Sequence, residues 1–257
     1  MASTSLRHRL FANPIARTVL SAWGWLVIGV LLVVWVPLVF VVWVVTWPFD
    51  RDHYWTGFAF RRICVVSQWL NPLWRFRVTG VKITDPRRPY VVVANHESFV
   101  DMLLISQLPW EMKWLSKESI FKIPLLGWMM RMSNDVLLVR GDKRSIVKAM
   151  ADCRKRLDQR LSVMLFPEGT RTRDGSLGEF KDGAFRLAIE SGCPILPIVV
   201  NGTREALQAD DWRMNVTHAE VRVLEPIETT GLTKLDTEEL RERVRGIIAD
   251  ELARMRS

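Results

Sequence analysis

The sequence predicts an α/β fold, a mixed and largely parallel sheet flanked by helices, with an N-terminal apolar helical membrane anchor. Three observations lead to this prediction. Short apolar runs are spaced along the chain, and several are apolar at every position, as in parallel strands buried on both faces. Segments between them carry apolar residues at helical spacing. The 257 residues suffice for one sizeable α/β domain plus a small segment.

The first element is an uncharged apolar stretch from Thr18 to Phe49. A helix of about twenty apolar residues crosses the hydrocarbon core of a bilayer, so the stretch is long enough for one tilted span. Pro37 interrupts it, and a proline inside a helix removes a hydrogen bond, so two shorter helices in a re-entrant or interfacial hairpin are the alternative. The sequence therefore predicts a membrane-anchoring segment over residues 1–50, and both a single span and a hairpin are consistent with it. Tryptophans near both ends support a membrane interface, namely Trp23, Trp25, Trp43 and Trp47.

The α/β domain is predicted over residues 51–257. Its expected strands are the apolar runs Tyr90–Ala94, Val136–Val139, Ser162–Phe166, Ile195–Val200 and Glu220–Leu224. Its expected helices are Asp142–Arg160, Gly183–Glu190 and Thr237–Met255; the first and the third have a charged face, and Gly192 ends the second.

The charge balance points to an anionic partner. Thirty-six basic residues against 28 acidic ones give a net charge of +8, which suits anionic lipid or nucleic acid. The long apolar stretch favours lipid, so no nucleic acid is expected. The 3 cysteines and 4 histidines are too scattered for a disulfide framework or a metal site, and we expect neither a metal nor a tightly bound cofactor. The chain contains no P-loop and no G-x-G-x-x-G, which argues against nucleotide chemistry.

A histidine and an aspartate follow the first expected strand, in the segment Asn95-His-Glu-Ser-Phe-Val-Asp101. Histidine is the usual general base near neutral pH, and a carboxylate fixes its tautomer. Residues five apart on a continuous helix point about 140° apart, so the pair meets only if His96 lies in the loop and Asp101 in the first helical turn. Ser98 is the expected N-cap of that helix. Taken alone, such a pair is more often a helix cap or a surface contact than a catalytic pair.

A second polar block, Phe166-Pro-Glu-Gly-Thr-Arg171, lies at the end of a later strand. Sites of α/β proteins form at the carboxyl ends of parallel strands, so both blocks are expected at one edge of the sheet. Gly169 lets backbone approach a ligand, Thr170 offers a hydroxyl, and the guanidinium of Arg171 matches phosphate oxygens. A turn with a surface ion pair is the alternative. Because no G-x-S-x-G elbow or other nucleophile motif is present, we expect His96 to activate a hydroxyl of a bound substrate.

Together the two blocks resemble the signature of the glycerolipid acyltransferase family, N-H-x4-D followed by F-P-E-G-T-R. The resemblance runs from about Val91 to Val200. Further blocks that resemble the family are Lys117–Pro124 with Gly127, Arg140 with Gly141, Phe180 with Lys181 and Gly183, and Cys193–Ile198.

The resemblance implies transfer of a fatty acyl group from acyl-CoA or acyl-carrier protein to the sn-2 hydroxyl of 1-acyl-glycerol-3-phosphate, giving phosphatidic acid. His96 is then the base and Asp101 orients it. The residues implied to position the acceptor phosphate are Glu168, Gly169, Thr170, Arg171, Lys117 and Arg140.

Several alternatives remain open at this point. Glycerol-3-phosphate, other lysophospholipids and a lyso-ornithine lipid fit the motifs as acceptors, and a non-catalytic lipid-binding membrane protein is the alternative from another class. The apolar run Pro124–Met130 suits an acyl channel, or alternatively the core or a contact with the membrane. Membrane lipids are expected partners, and the expected location is the bacterial inner membrane with the catalytic domain on the cytoplasmic face.

Overall fold

The structure, a computed structural model, describes residues 13–172, 175–208 and 211–257. Residues 1–12 of the predicted anchor lie outside this range. The helices are α1 (Pro14–Thr46), α2 (Tyr54–Leu70), α3 (Asp101–Ile105), α4 (Glu118–Phe121), α5 (Leu126–Met132), α6 (Lys143–Asp158), α7 (Gly183–Ser191), α8 (Thr203–Ala206) and α9 (Thr237–Arg256). The strands are β1 (Trp74–Gly80), β2 (Val91–Ala94), β3 (Met112–Lys117), β4 (Val136–Leu138), β5 (Ser162–Leu165), β6 (Ile195–Asn201) and β7 (Thr217–Val223).

The strands form one 7-stranded sheet in the order β1-β7-β6-β2-β5-β3-β4. The five strands from β6 to β4 are parallel to one another, whereas β7 is antiparallel to β6 and parallel to β1. Strand β2 is buried at every position, because its residues alternate between the cores on the two faces of the sheet. The predicted fold class, mixed and largely parallel with flanking helices, is confirmed. The division at residue 50 stays a prediction.

The two faces of the sheet are covered by different helices. Helices α6, α7 and α9 share one core with the sheet. On the other face α3 packs on the sheet, and Arg62 of α2 donates hydrogen bonds to the carbonyl oxygens of Ser106 and Leu108 just beyond α3. Helix α1 therefore reaches the domain from the α2 side, opposite α6, α7 and α9.

Helix α1 is continuous through Pro37, so the alternative of two shorter helices broken at that residue is wrong. Its 33 residues have a mean hydropathy of 2.9 over the most apolar window, and by length and composition it is able to cross a membrane. At 1.5 Å per residue it is about 50 Å long. One side packs against α2 and α5, while valines such as Val33 and Val41 stay exposed. Arg17 pairs with Asp211 at 2.9 Å, which fixes the start of α1 to the domain.

A buried cluster of charges lies where α2 crosses the amino ends of β3 and β4. Arg61 of α2 contacts Asp135 at 2.5 Å. The fully buried Lys113 pairs with Glu111 at 3.0 Å and also donates to the carbonyl oxygen of His53. Burial raises the pKa of Glu111, and Lys113 and Arg61 oppose that rise. The four charges sum to zero, as burial in a medium of low dielectric requires.

Candidate active site

The predicted site residues lie at the carboxyl ends of four adjacent parallel strands. His96 follows β2, Lys117 ends β3, Arg140 follows β4, and the block from Glu168 follows β5. In the order β2-β5-β3-β4, three strand spacings of about 4.8 Å separate β2 from β4, so the row extends about 14 Å across the sheet edge. The sheet therefore places both sequence blocks side by side at the same edge.

Asn95 fixes the end of β2 against its neighbour. Its side-chain amide donates to the carbonyl oxygen of Val200 and accepts from the N–H of Val200, both at 2.8 Å. This buried amide continues the pairing of β2 with β6 by one residue after the strand has ended. His96 consequently leaves the sheet from a rigid point.

His96 and Asp101 form the expected pair. The Nδ1 atom of His96 lies 2.7 Å from Oδ2 of Asp101, with His96 in the loop and Asp101 as the first residue of α3. The same oxygen accepts from the N–H groups of Glu97 at 2.7 Å and Ser98 at 2.9 Å. The N-cap prediction for Ser98 is wrong, since the helix begins after Val100 and the Ser98 hydroxyl accepts from the N–H of that residue.

This geometry assigns the imidazole tautomer. An ionised carboxylate only accepts hydrogen bonds, so Nδ1 of His96 carries the proton shared with Asp101. The lone pair then lies on Nε2, the arrangement of a general base held by an orienting carboxylate. The ring stacks on Phe166 with centroids 3.9 Å apart, which leaves its edge to reach a substrate.

The carboxylate of Glu168 holds two loops together. One oxygen accepts from the backbone N–H of His96 at 2.8 Å and the other from the N–H of Gly178 at 2.9 Å. Burial raises the pKa of Glu168, and these two amide hydrogen bonds oppose the rise. Both oxygens thus contact protein donors, and a carboxylate does not attract phosphate. The predicted substrate-binding role of Glu168 stays a prediction, whereas its hydrogen bond to the backbone of His96 fixes the loop that carries the imidazole.

The rest of the second block is more open. Gly169 has φ of +72°, a conformation that favours glycine, and a Cβ there would approach Nζ of Lys181 to 2.8 Å. Thr170 and Arg171 are exposed, as are Lys117 and Arg140. These side chains lie at one edge of the sheet with no described carboxylate in an ion pair with them. The edge that holds the imidazole therefore also carries exposed cations and a threonine hydroxyl.

Two residues that contact the His96 loop were missed by sequence reasoning. Thr203, at the start of α8, donates its hydroxyl hydrogen to Oδ1 of Asp101. Arg256, in α9, contacts the carboxylate of Glu97 at 2.6 Å and the carbonyl oxygen of Gly175 at 2.9 Å. Neither belongs to a motif, and only the fold brings them to the site.

The buried carboxyl of Glu97 predicts a pH-dependent stability. Its pKa is raised to about 7, mainly by burial and by the charge of Asp101, with a small contribution from Glu205, while Arg256 opposes the rise. The folded protein holds this proton more tightly than the unfolded chain, so its stabilising contribution is present at low pH and is lost as pH rises through about 7.

We expect Glu97→Gln to remove this dependence. Between about pH 5 and pH 7 the wild type should lose on the order of 3 kcal/mol of unfolding free energy relative to the variant. Denaturation at several pH values measures the difference, with the exposed Glu239→Gln as control. Parallel curves for wild type and Glu97→Gln would contradict the assignment.

Within the described ranges, no group of three or more His, Cys, Asp or Glu side chains is placed to hold a metal ion. The expected absence of a metal and of a cofactor stays a prediction.

Comparison with known proteins places the chain in a family. A family model described as Acyltransferase matches residues 75–201, which include both motif blocks. A chloroplastic 1-acyl-sn-glycerol-3-phosphate acyltransferase of Brassica napus is 37% identical over 60% of this chain and 45% of its own length. The alpha form from Homo sapiens is 35% identical over 66% of this chain and 61% of its own length. The chain thus spans less than two thirds of these relatives.

A solved structure agrees in fold. The crystal structure of the 1-acyl-sn-glycerophosphate acyltransferase from Thermotoga maritima superposes with a TM-score of 0.79, covering 95% of this chain and 97% of that one at 24% sequence identity. The similarity extends through α1 and α9, beyond the part matched by the family model. With the ordered motif blocks, the matching family model and the shared fold, the chain belongs to the acyltransferase family.

Proposed function

We propose that this protein transfers a fatty acyl group from a thioester, acyl-CoA or acyl-carrier protein, to the sn-2 hydroxyl of 1-acyl-glycerol-3-phosphate and so forms phosphatidic acid. The observation that carries the proposal is the His96–Asp101 pair at a sheet edge that also presents exposed cations. The relatives named as 1-acyl-sn-glycerol-3-phosphate acyltransferases support the choice of acceptor.

The chemistry follows from the tautomer. Nε2 of His96 accepts the proton of the acceptor hydroxyl as its oxygen attacks the thioester carbonyl carbon. The new C–O bond forms, the C–S bond breaks, and the leaving thiolate takes the proton from the imidazolium, which regenerates the base. Asp101 stabilises the imidazolium during this cycle. No covalent acyl-enzyme is required.

The acceptor phosphate is assigned to the exposed groups of the edge. Arg171 offers a planar fork for phosphate oxygens, and Lys117 and Arg140 add positive charge from β3 and from the segment after β4. Thr170 supplies a hydroxyl donor at the turn, and Gly169, whose own N–H donates to the carbonyl oxygen of Phe166 at 3.0 Å, lets the phosphate approach the backbone. Glu168 acts through the backbone of His96.

The acyl chain is assigned to the surface around α5. Met129 and Met130 are buried against α1 and α2, so this half of the Pro124–Met130 run is core. Trp128 within the run and Ile123 just before it are exposed, close to Lys117 in the chain, and α5 packs against α1. They provide apolar surface that continues from the site towards α1.

The deciding experiment measures thiol release and phosphatidic acid from purified protein, an acyl thioester and 1-acyl-glycerol-3-phosphate. Release that depends on this acceptor supports the proposal. A panel with glycerol-3-phosphate, lyso-ornithine lipid and other lysophospholipids, offered with both donor types, tests the alternative acceptors. Lipid binding without thiol release from any donor would instead support the non-catalytic lipid-binding alternative.

Membrane attachment through α1 completes the proposal, with the catalytic domain on the cytoplasmic face of a bacterial inner membrane. We expect Val33→Lys, on the exposed side of α1, to reduce recovery of the protein with phospholipid vesicles, because a lysine near a bilayer centre costs about 3 kcal/mol. The matched control is Val147→Lys, an exposed valine on α6. Equal recovery of both variants would argue against insertion of α1.

A further inference from the structure

We propose that Thr203 is a positioning residue for the proton-transfer pair, an inference that rests on the function proposed above. Its hydroxyl is the partner of Oδ1 of Asp101, and both residues are fully buried. The other three donors, from His96, Glu97 and Ser98, all converge on Oδ2. Among the described residues Thr203 alone holds the second oxygen.

The fold directs this hydroxyl to Asp101 from another strand. Thr203 follows β6, and Gly202 before it has φ of +90°. A Cβ at Gly202 would come within 2.5 Å of the carbonyl oxygen of His218, so only glycine fits this turn. Thr203 lies outside the region matched by the family model, residues 75–201.

The contact restrains the carboxylate in the way that catalysis requires. With one oxygen bound to Thr203 and the other to three N–H groups, the Asp101 carboxylate cannot rotate about its Cβ–Cγ bond. Without the hydroxyl, Oδ1 is a buried acceptor with no donor, so the carboxylate interacts more strongly with the protonated imidazole. The imidazolium then gives its Nε2 proton to the leaving thiolate less readily.

The test compares Thr203→Val, which keeps the shape and removes the donor, with Thr203→Ser, which keeps the donor. Thr203→Val leaves Oδ1 of Asp101 without a donor, and we expect it to lower kcat by a factor of about ten to a hundred. KM should change less than about threefold. The acid limb of kcat/KM against pH should move to higher pH in the valine variant alone. The serine variant should recover most of the rate.

Two further measurements separate positioning from stability. Thr229→Val removes another buried hydroxyl, which bonds to the carbonyl oxygens of Ala188 and Cys193, and should lower Tm while kcat stays unchanged. In histidine-labelled protein, the NMR signal of the Nδ1 proton of His96 should shift in Thr203→Val, whichever acceptor the enzyme uses. An unshifted signal with wild-type kcat, or equal losses in the valine and serine variants, overturns the proposal.

Discussion

Replacing His96 with alanine is expected to lower thioester-dependent acyl transfer by a factor of about 10² to 10⁴, the usual contribution of a general base. The imidazole is the group that can accept the hydroxyl proton at this sheet edge, since Asp101 is fully buried and both Glu168 oxygens hold backbone amides. Thiol release and product formation are measured together under saturating donor. KM for the acceptor should change little, because the residues proposed to bind its phosphate remain.

The matched control is His218→Ala, a histidine exposed on β7. Asp101→Asn should also lose activity, because an amide no longer stabilises the imidazolium and its NH2 group faces backbone N–H donors. If thiol release stays at the wild-type rate in His96→Ala, the mechanism is wrong even where the acceptor specificity is right.

The largest effect on stability is expected from Asp135→Asn. The substitution keeps the shape of the side chain but leaves the buried guanidinium of Arg61 without its counter-charge. Breaking a buried ion pair costs about 3–5 kcal/mol. For a protein of this size that lowers the thermal midpoint by roughly 10 °C. Unfolding followed by tryptophan fluorescence measures the change. The backbone N–H of Trp114 also donates to Asp135, so the substitution disturbs this contact as well.

An exposed pair of similar geometry is the control. Arg154 and Asp158 lie 3.0 Å apart on α6 with both side chains largely in water, so Asp158→Asn should change stability by less than about 1 kcal/mol. Adding Arg61→Gln to Asp135→Asn removes the unpaired charge and should restore part of the loss. Equal destabilisation by Asp135→Asn and Asp158→Asn would show that the buried charges do not stabilise the contact between α2 and the sheet.

The sequence predicted the elements whose pattern is strong. The predicted strand Tyr90–Ala94 is observed as Val91–Ala94, and the predicted helix Thr237–Met255 as Thr237–Arg256. Strand β3 was missed because it holds the buried Lys113, and a lysine in a strand normally marks a solvated face. Strand β1 was missed because polar and exposed residues dominate this edge strand.

The sequence predicted the part of the candidate site that lies within one short segment of the chain. The spacing of His96 and Asp101 required one loop residue and one helical residue, and the structure has this arrangement. Thr203 and Arg256 come from distant parts of the chain, and a lone threonine or arginine carries no local pattern. The roles assigned to Lys117, Arg140 and the residues from Glu168 to Arg171 stay predictions, since the fold shows their place and not their ligand.

The arrangement of exposed cations beside buried carboxylates has a consequence for product release. In the proposed reaction, acyl transfer leaves the phosphate of the acceptor unchanged, so the groups proposed to bind the substrate would bind the product equally, and this shared affinity would slow turnover. The product differs from the substrate by its second acyl chain. Transfer of each CH2 group of that chain from water to an apolar phase is favourable by about 0.8 kcal/mol. In the proposed reaction, a bilayer next to α1 would therefore drive the departure of the product, and an enzyme assayed without a lipid phase should accumulate in its product-bound form.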